Sequence, residues 1–228
     1  MAFPLWRLTT LRRKVFESVG SDRYSRPATP AIHQRLLEFL GGSGRFVEVG
    51  ALDGFFESNT YYLERFCNWH GILIEPIPRM YERLRVNRPR ARTFNCALVS
   101  DEFESATIRL LDQHAMSRVD AVSALDATAE SSHPFVDVPA RTLTSVLSEA
   151  GVKNVDFLSL DVEGLELEAL SGLDFRCYRP RFILVECLSG EKKQEMDAFL
   201  ATYYRFVDKF TYRDFFYEAV QPSVLMRK

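Results

Sequence analysis

Between Arg45 and Asn59 the chain reads RFVEVGALDGFFESN, a stretch that few folds accommodate. Apolar Phe46, Val47 and Val49 enclose one acid, Glu48. The run then breaks at Gly50, carries a second acid at Asp53 and breaks again at Gly54. An apolar run that ends in a glycine-containing loop and continues into a helix signal reads as the first strand, turn and helix of an open α/β sheet. Ligands of such sheets bind outside the carboxyl ends of the strands, so the loop is expected to face one. Gly50 and Gly54 are read as letting the backbone approach that ligand without a Cβ in the way. Glu48 lies in a strand that should be buried, and an unpaired buried carboxylate is costly, so it needs a partner. The spacing is G-x-x-x-G, not the dinucleotide G-x-G-x-x-G, and acids line it. This argues against a pyrophosphate and for a ligand with a positive group, such as the ammonium and sulfonium of S-adenosylmethionine. The competing reading is an ordinary strand-to-helix turn with Asp53 as a cap.

At 228 residues and 46% hydrophobic, the chain suits one sizeable domain with a full core. A net charge of −2 gives no global basic field for nucleic acid. No apolar run approaches a membrane span. The N-terminal MAFPLWRLTTLRRKVF is basic, and its scattered apolar positions give no signal-peptide core. It reads as an amphipathic lead-in helix docked on the domain, with peripheral contact to an anionic membrane as the alternative. Cys67, Cys96, Cys177 and Cys187 have no C-x-x-C spacing and read as reduced, buried side chains of a cytoplasmic protein.

Along the chain, SDRYSRPATP reads as a linker. Residues 31–40 read as a helix with Ile32, Leu36, Leu37 and Leu40 on one face and His33 at the surface. A helix capped by Ser58 or Asn59 follows the loop, burying Tyr62, Leu63 and Phe66. The second strand, GILIE, ends in Glu75, whose carboxylate suits both hydroxyls of a ribose, and Pro76 stops it. Pro78 opens a helix that Pro89 terminates. TFNCALV, residues 93–99, reads as a third strand with Asn95 and Ala97 placed to flank an adenine. Residues 99–155 are too many for a simple crossover. They hold a β-ribbon (ATIRLL, PFVDVPA) and a polar stretch suited to a cap over a substrate, with His114, Ser117, Arg118, Ser123 and His133 as its polar candidates. VDFLSL is a buried strand with Asp161 and Glu163 at its carboxyl end, and RFILVEC is another, ending beside Glu186. The tail reads as an antiparallel pair at one edge.

Several of these blocks together resemble the FkbM-type methyltransferases: VEVGALDGFFESNTYYLE, GILIEPIPRMYERL, NCALVSDE, VPARTLTSVL, VDFLSLDVEGLELEAL and RFILVEC, in that order. The resemblance runs from about Phe46 to Cys187. It implies a Rossmann-like class I methyltransferase fold, with a seven-stranded, mostly parallel sheet, an antiparallel C-terminal strand and helices on both faces. On that pattern residues 1–40 are a helical lead-in and linker, and residues 41–228 the methyltransferase domain with an insertion at about 100–140. The resemblance implies S-adenosylmethionine as cofactor and O-methylation of a hydroxyl on a sugar, glycan or secondary metabolite. Glu48, Gly50 and Asp53 match its first cofactor motif and Glu75 its ribose-binding acid. Asn59, Pro76, Asn95, Ala97 and Asp161 complete the expected cofactor set. The D-x-E-G segment falls on Asp161, Glu163 and Gly164. Many members carry a lysine two residues before that aspartate, where this chain has Ser159.

The expected mechanism aligns a hydroxyl with the sulfonium methyl while an acid, Asp161 or Glu163, takes the proton. Adjacent acids raise one another's pKa, which suits a base near neutral pH. The structural alternative has Glu163 capping the next helix. A set of Asp161, Glu163 and His133 around Mg²⁺ is the other alternative, and the metal-free base is preferred because no ligand spacing demands an ion. Glu186 joins His114, Ser117, Arg118 and His133 as substrate candidates. N-methyl transfer to a small molecule, or a silent binding module on the same fold, are the competing functions. A monomer or a homodimer through the edge strand fits equally.

Overall fold

The computed structural model describes residues 5–112 and 134–220. His114, Ser117, Arg118, Ser123 and His133 lie outside the described residues.

Strand β1 (Arg45–Val49) lies inside a seven-stranded sheet, third from one edge. It pairs in parallel with β2 (His70–Ile74) on one side and β7 (Phe157–Leu160) on the other. Beyond β2 lies β3 (Arg92–Phe94), and beyond β7 lies β8 (Phe182–Glu186), both parallel. The C-terminal strand β10 (Asp214–Ala219) runs antiparallel to β8 and to the edge strand β9 (Tyr204–Lys209), so the order is β3-β2-β1-β7-β8-β10-β9. This is the Rossmann-like methyltransferase arrangement, with helices on both faces.

Strand periodicity explains the two faces. Val47 and Val49, Ile72 and Ile74, and Ile183 and Val185 point to one side. There they meet α5 (Leu143–Glu149), α6 (Glu166–Ser171) and α7 (Gly190–Leu200) through residues such as Val146, Leu170 and Met196. Phe46, Leu73, Phe182 and Leu184 point to the other. They meet Ile32 and Leu36 of α2 (Pro30–Phe39), Leu63 of α3 (Tyr61–Phe66) and Leu84 of α4 (Pro78–Asn87). Every core strand is buried on both faces, hence the continuous apolar runs in the sequence.

Outside this second layer lies α1 (Leu5–Ser18), held by polar contacts: Arg13 reaches Asn87 Oδ1 at 3.2 Å, and Glu17 accepts from Tyr61 Oη at 2.6 Å and Ser25 Oγ at 2.7 Å. The stretch read as a linker is thereby pinned, with Ser25 and Ala28 buried.

Four expectations are corrected. TFNCALV is not one strand: it divides into β3 and a two-residue β4 (Ala97–Leu98). The break falls at Asn95, whose Nδ2 donates to the carbonyls of Glu75 and Pro76 at 2.8 Å each and turns the chain out of the main sheet. β4 instead joins β6 (Phe135–Arg141) and β5 (Thr107–Leu111) in a small sheet of order β4-β6-β5. His33 is buried, edge-on to Tyr62 with centroids 4.6 Å apart, because α2 is packed on the domain. Leu37, at the margin of the apolar face, is exposed. Of the cysteines only Cys96 and Cys187 are buried; Cys67 is half-buried and Cys177 exposed, because their elements end at the surface.

The glycines of the first loop also serve a different end from the one expected. Gly50 has φ 80°, and a Cβ there would lie 1.8 Å from the Asp161 carbonyl oxygen. A Cβ on Gly54 would meet Leu84 and Arg88 of the α4 region at 2.6 and 2.7 Å. Both glycines let protein approach protein. Gly50→Ala combines a left-handed backbone with a backbone overlap, and should lower unfolding free energy by about 2–5 kcal/mol in urea denaturation. A wild-type midpoint would show that β1 and β7 do not need this close approach.

Candidate active site

A cleft of about 950 Å³, solvent-open space included, lies at the carboxyl ends of β1, β2 and β7. Its walls include Glu48, Gly50, Asn59, Glu75, Pro76, Ala97, Ser159, Asp161 and Glu163. Most of the residues singled out in the sequence are thus brought together. Asp53, Asn95 and Glu186 are not among its walls.

The loop after β1 is shaped by Arg88, which directly follows α4 and is 1% exposed. Its Nε donates to Glu64 Oε2 (2.8 Å), its Nη1 to Gly54 O and Ser58 Oγ (3.1 Å each), and its Nη2 to Thr60 Oγ1 (3.0 Å). The hydroxyls pass the polarity on: Ser58 donates to Glu48 Oε2 at 2.8 Å and Thr60 to the same oxygen at 2.7 Å. The Asn59 N–H takes the other oxygen at 2.7 Å, and Arg88 itself stands 3.6 Å from Glu48. The partner Glu48 required is therefore internal, not a cationic ligand. Asp53 is likewise a turn residue: its Oδ1 accepts from the N–H groups of Phe55 (2.9 Å) and Phe56 (2.8 Å).

Glu75, 2% exposed, faces the cleft from the end of β2. It accepts one backbone hydrogen bond on each oxygen, from Leu52 and Ile77 at 2.8 Å. Leu52 donates from a left-handed backbone, φ 49°. Burial pushes the Glu75 carboxyl up to about 7, the two backbone donors opposing it only in part. Asn95 does not flank a ligand through its amide nitrogen, which is committed to the carbonyls beside Glu75. The apolar wall there comes from Cys96, Ala97, Leu98 and Leu110.

At the end of β7 the loop 161–165 is bound by Glu166, whose Oε1 accepts from the N–H groups of Val162 (3.2 Å) and Gly164 (2.9 Å). Glu166, not Glu163, caps this turn. Glu163 stands in the left-handed region, φ 55°, makes no ion pair among the described residues and lines the cleft. Asp161 is exposed to the open cleft, with protein packed around the rest of it. That desolvation holds its pKa well above the usual carboxylate range, and the charges of Glu186, Glu163, Glu166 and Asp214 push the same way. Glu186 sits behind this group, 3.6 Å from Arg213, and its own pKa is raised first by burial and then by Glu163 and Asp214. Among the described residues no three His, Cys, Asp or Glu side chains are grouped to hold a metal.

One polar atom of the site stands out. Asn59 Nδ2 donates to Ser159 Oγ at 3.0 Å, while Asn59 Oδ1 is buried with no hydrogen-bond partner among the described residues. A buried orphan acceptor in a cleft wall is a place for a ligand donor.

Arg88, Glu166 and the bond from Asn59 to Ser159 were not singled out in the sequence, although Asn59 itself was expected in the cofactor set. An acid in the first turn of α6 was a signal for Glu166. Arg88, one of many arginines and followed by a proline, gave none.

A family model described as the methyltransferase FkbM domain matches residues 48–213. The chain belongs to the FkbM methyltransferase family. It is therefore an S-adenosylmethionine-dependent methyltransferase. Among solved structures, it is similar to a methyltransferase FkbM from Methylobacillus flagellatus KT, with 16% identity and a TM-score of 0.53. That alignment covers 92% of this chain and 52% of the other, so this enzyme spans about half the length of that relative. An O-methyltransferase from Bacillus cereus, solved with S-adenosylhomocysteine, aligns at 13% identity over 93% of this chain and 90% of its own, TM-score 0.48. Fibrillarin from Aeropyrum pernix aligns at 14% identity over 83% and 73%, also at 0.48. A search of curated proteins gives no match. The cleft fits the family's cofactor: it offers acceptors at Glu75 and Asn59 Oδ1 and a wall of apolar side chains, and among the described residues no cation lines it to repel a sulfonium.

Two predictions follow from these geometries. Arg88→Met strands Glu48 and Glu64 as buried, uncompensated carboxylates and should cost about 3–5 kcal/mol in chemical denaturation. For Glu75 the folded state keeps a proton that the unfolded chain releases between pH 4.5 and about 7. Stability should therefore fall as pH rises through that window, by about 3 kcal/mol, and level off above it. Denaturation midpoints of Glu75→Gln against pH should lack this step, and an identical slope in both proteins would place the titration elsewhere.

Proposed function

We propose that this enzyme transfers a methyl group to a hydroxyl of a sugar, glycan or secondary metabolite, with Asp161 as general base. The observation that carries this reading is an acid of raised pKa opening into the same cleft as Glu75 and Asn59. Glu75, with one lone pair on each oxygen left over from its backbone donors, would accept the ribose hydroxyls. Pro76, Ala97 and neighbouring apolar side chains would flank the adenine. Asn59 Oδ1 would accept from the ammonium, and Gly50 keeps the strand ends close enough to close the floor. When bound, S-adenosylmethionine supplies an electrophilic methyl on sulfur.

An alcohol is a weak nucleophile until its proton leaves, and Asp161 is placed to take that proton on a carboxylate oxygen. Its raised pKa makes it a stronger base than an isolated aspartate, and the acids behind it keep that basicity high. Glu163, half-buried in the cleft lining and without an ion pair among the described residues, orients the acceptor.

The density of acids also favours a second reading, an amine acceptor held as its ammonium by Asp161 and Glu163. A panel of glycans, alcohols and amines separates the two: methylation of amines alone would replace the first reading with the second.

The test of the base is Asp161→Asn, measured for donor binding by calorimetry and for methyl transfer to the acceptors found. Donor affinity should stay within about threefold while kcat falls by about 10²–10⁴. Wild-type activity should decline as pH falls through the raised pKa of Asp161, well before the range of an ordinary aspartate. Full activity in Asp161→Asn would remove it as the base.

A further inference from the structure

Helix α1 is inside out. The side chains it buries are charged: Arg13 and Glu17 are 3% and 7% exposed, facing Asn87, Tyr61, Ser25 and Arg65. The side chains it exposes include Leu8 at 50%, Leu11 at 60% and Val15 at 54%, with Val19 just beyond the helix end at 77%. At about 100° per residue these four fall in a sector roughly 80° wide, centred opposite Arg13 and Glu17. Exposed Arg12 borders the sector on one side and exposed Lys14 on the other. Arg12 is parked over the Tyr24 ring, 4.1 Å from its centroid. The only acid on α1 is Glu17, and it is buried. The outer face is thus an apolar ridge between two cations.

We propose that this ridge seats the enzyme on an anionic lipid surface, with the four apolar side chains in the headgroup–acyl boundary and Arg12 and Lys14 among the lipid phosphates and carboxylates. The charge pattern selects this occupant. Apolar area with basic flanks is the combination that binds anionic interfaces. A second copy docking the same face would set the cationic flanks of both copies against each other, which disfavours a symmetric pair. The seat is stiff, because α1 is tied through Arg13, stacked 3.6 Å from the Phe55 ring centroid, to the loop that borders the cleft, and through Glu17 to Tyr61 at the start of α3. The inference is independent of which acceptor is methylated.

Sedimentation of the full chain with phosphatidylcholine vesicles, with and without phosphatidylserine, tests it. Binding is expected only with phosphatidylserine, weakening as salt is raised. Leu11→Asp with Val15→Asp should reduce binding at least tenfold, and Arg12→Glu with Lys14→Glu by fivefold or more per charge. Both pairs replace exposed side chains, and unchanged thermal unfolding and donor affinity would show α1 still in place. Tyr212→Asp, at an exposed aromatic in the β9–β10 turn, should bind vesicles like the wild type. Absence of binding to phosphatidylserine vesicles, equal binding to both vesicle types, or binding indifferent to the ridge variants would overturn the proposal. So would a solution dimer that the ridge variants convert to monomer, since the face would then belong to a second copy.

Discussion

The geometry of the cleft depends on one buried cation. Arg88 reaches from the end of α4 into the loop after β1, and its donors fix Gly54, Ser58, Thr60 and Glu64 at once. Taking a guanidinium and two carboxylates out of water cancels much of what their attraction returns. The network is better understood as specifying one loop conformation than as a source of net stability. Glu48 belongs to it as an acceptor for Ser58, Asn59 and Thr60, so the strand and the loop that leaves it are locked together. Asn59, held through its own N–H, then has its side chain directed to Ser159 and the cleft.

Three adjacent strands bring three acids to the same region, and their surroundings give them different chemistry. Glu48 is saturated by hydroxyls, an amide and a nearby arginine. Glu75 is buried with one backbone donor per oxygen, which leaves it acceptor capacity and a pKa near neutrality. Asp161 is desolvated and has other acids for neighbours, so its proton is held more tightly than usual. Environments that push like groups apart in pKa are how one site separates scaffold, binding and proton transfer.

Much of the architecture was legible because the parallel strands are buried on both faces and therefore write themselves as apolar runs with acids at their ends. The seven-stranded, mostly parallel sheet and its antiparallel tail agree with what the family resemblance implied. What escaped was long-range and polar. Nothing near Arg88 in sequence points to Glu48, forty residues earlier. Asn95 looked like a residue in a strand, and its amide instead ends the strand by capturing two carbonyls of β2's exit. Gly50 and Gly54 were read as letting a ligand approach the backbone, whereas protein atoms are what approach, a distinction that sequence spacing does not carry. His33 was misplaced because α2 carries its core contacts on more of its circumference than four apolar positions suggest.

The fork at Asn95 has a further consequence. Once the chain leaves the main sheet there, β4, β5 and β6 pair only with one another and pack around a small core of Ile77, Ala97, Leu110 and Val138. Leu110 nevertheless forms part of the cleft wall. One side of the site is thus carried by a module whose packing is almost separate from the large cores that hold the sheet. Changes in these strands draw on local cohesion and leave the central strands untouched, so the wall proposed to flank the adenine can be reshaped without putting the fold itself at risk.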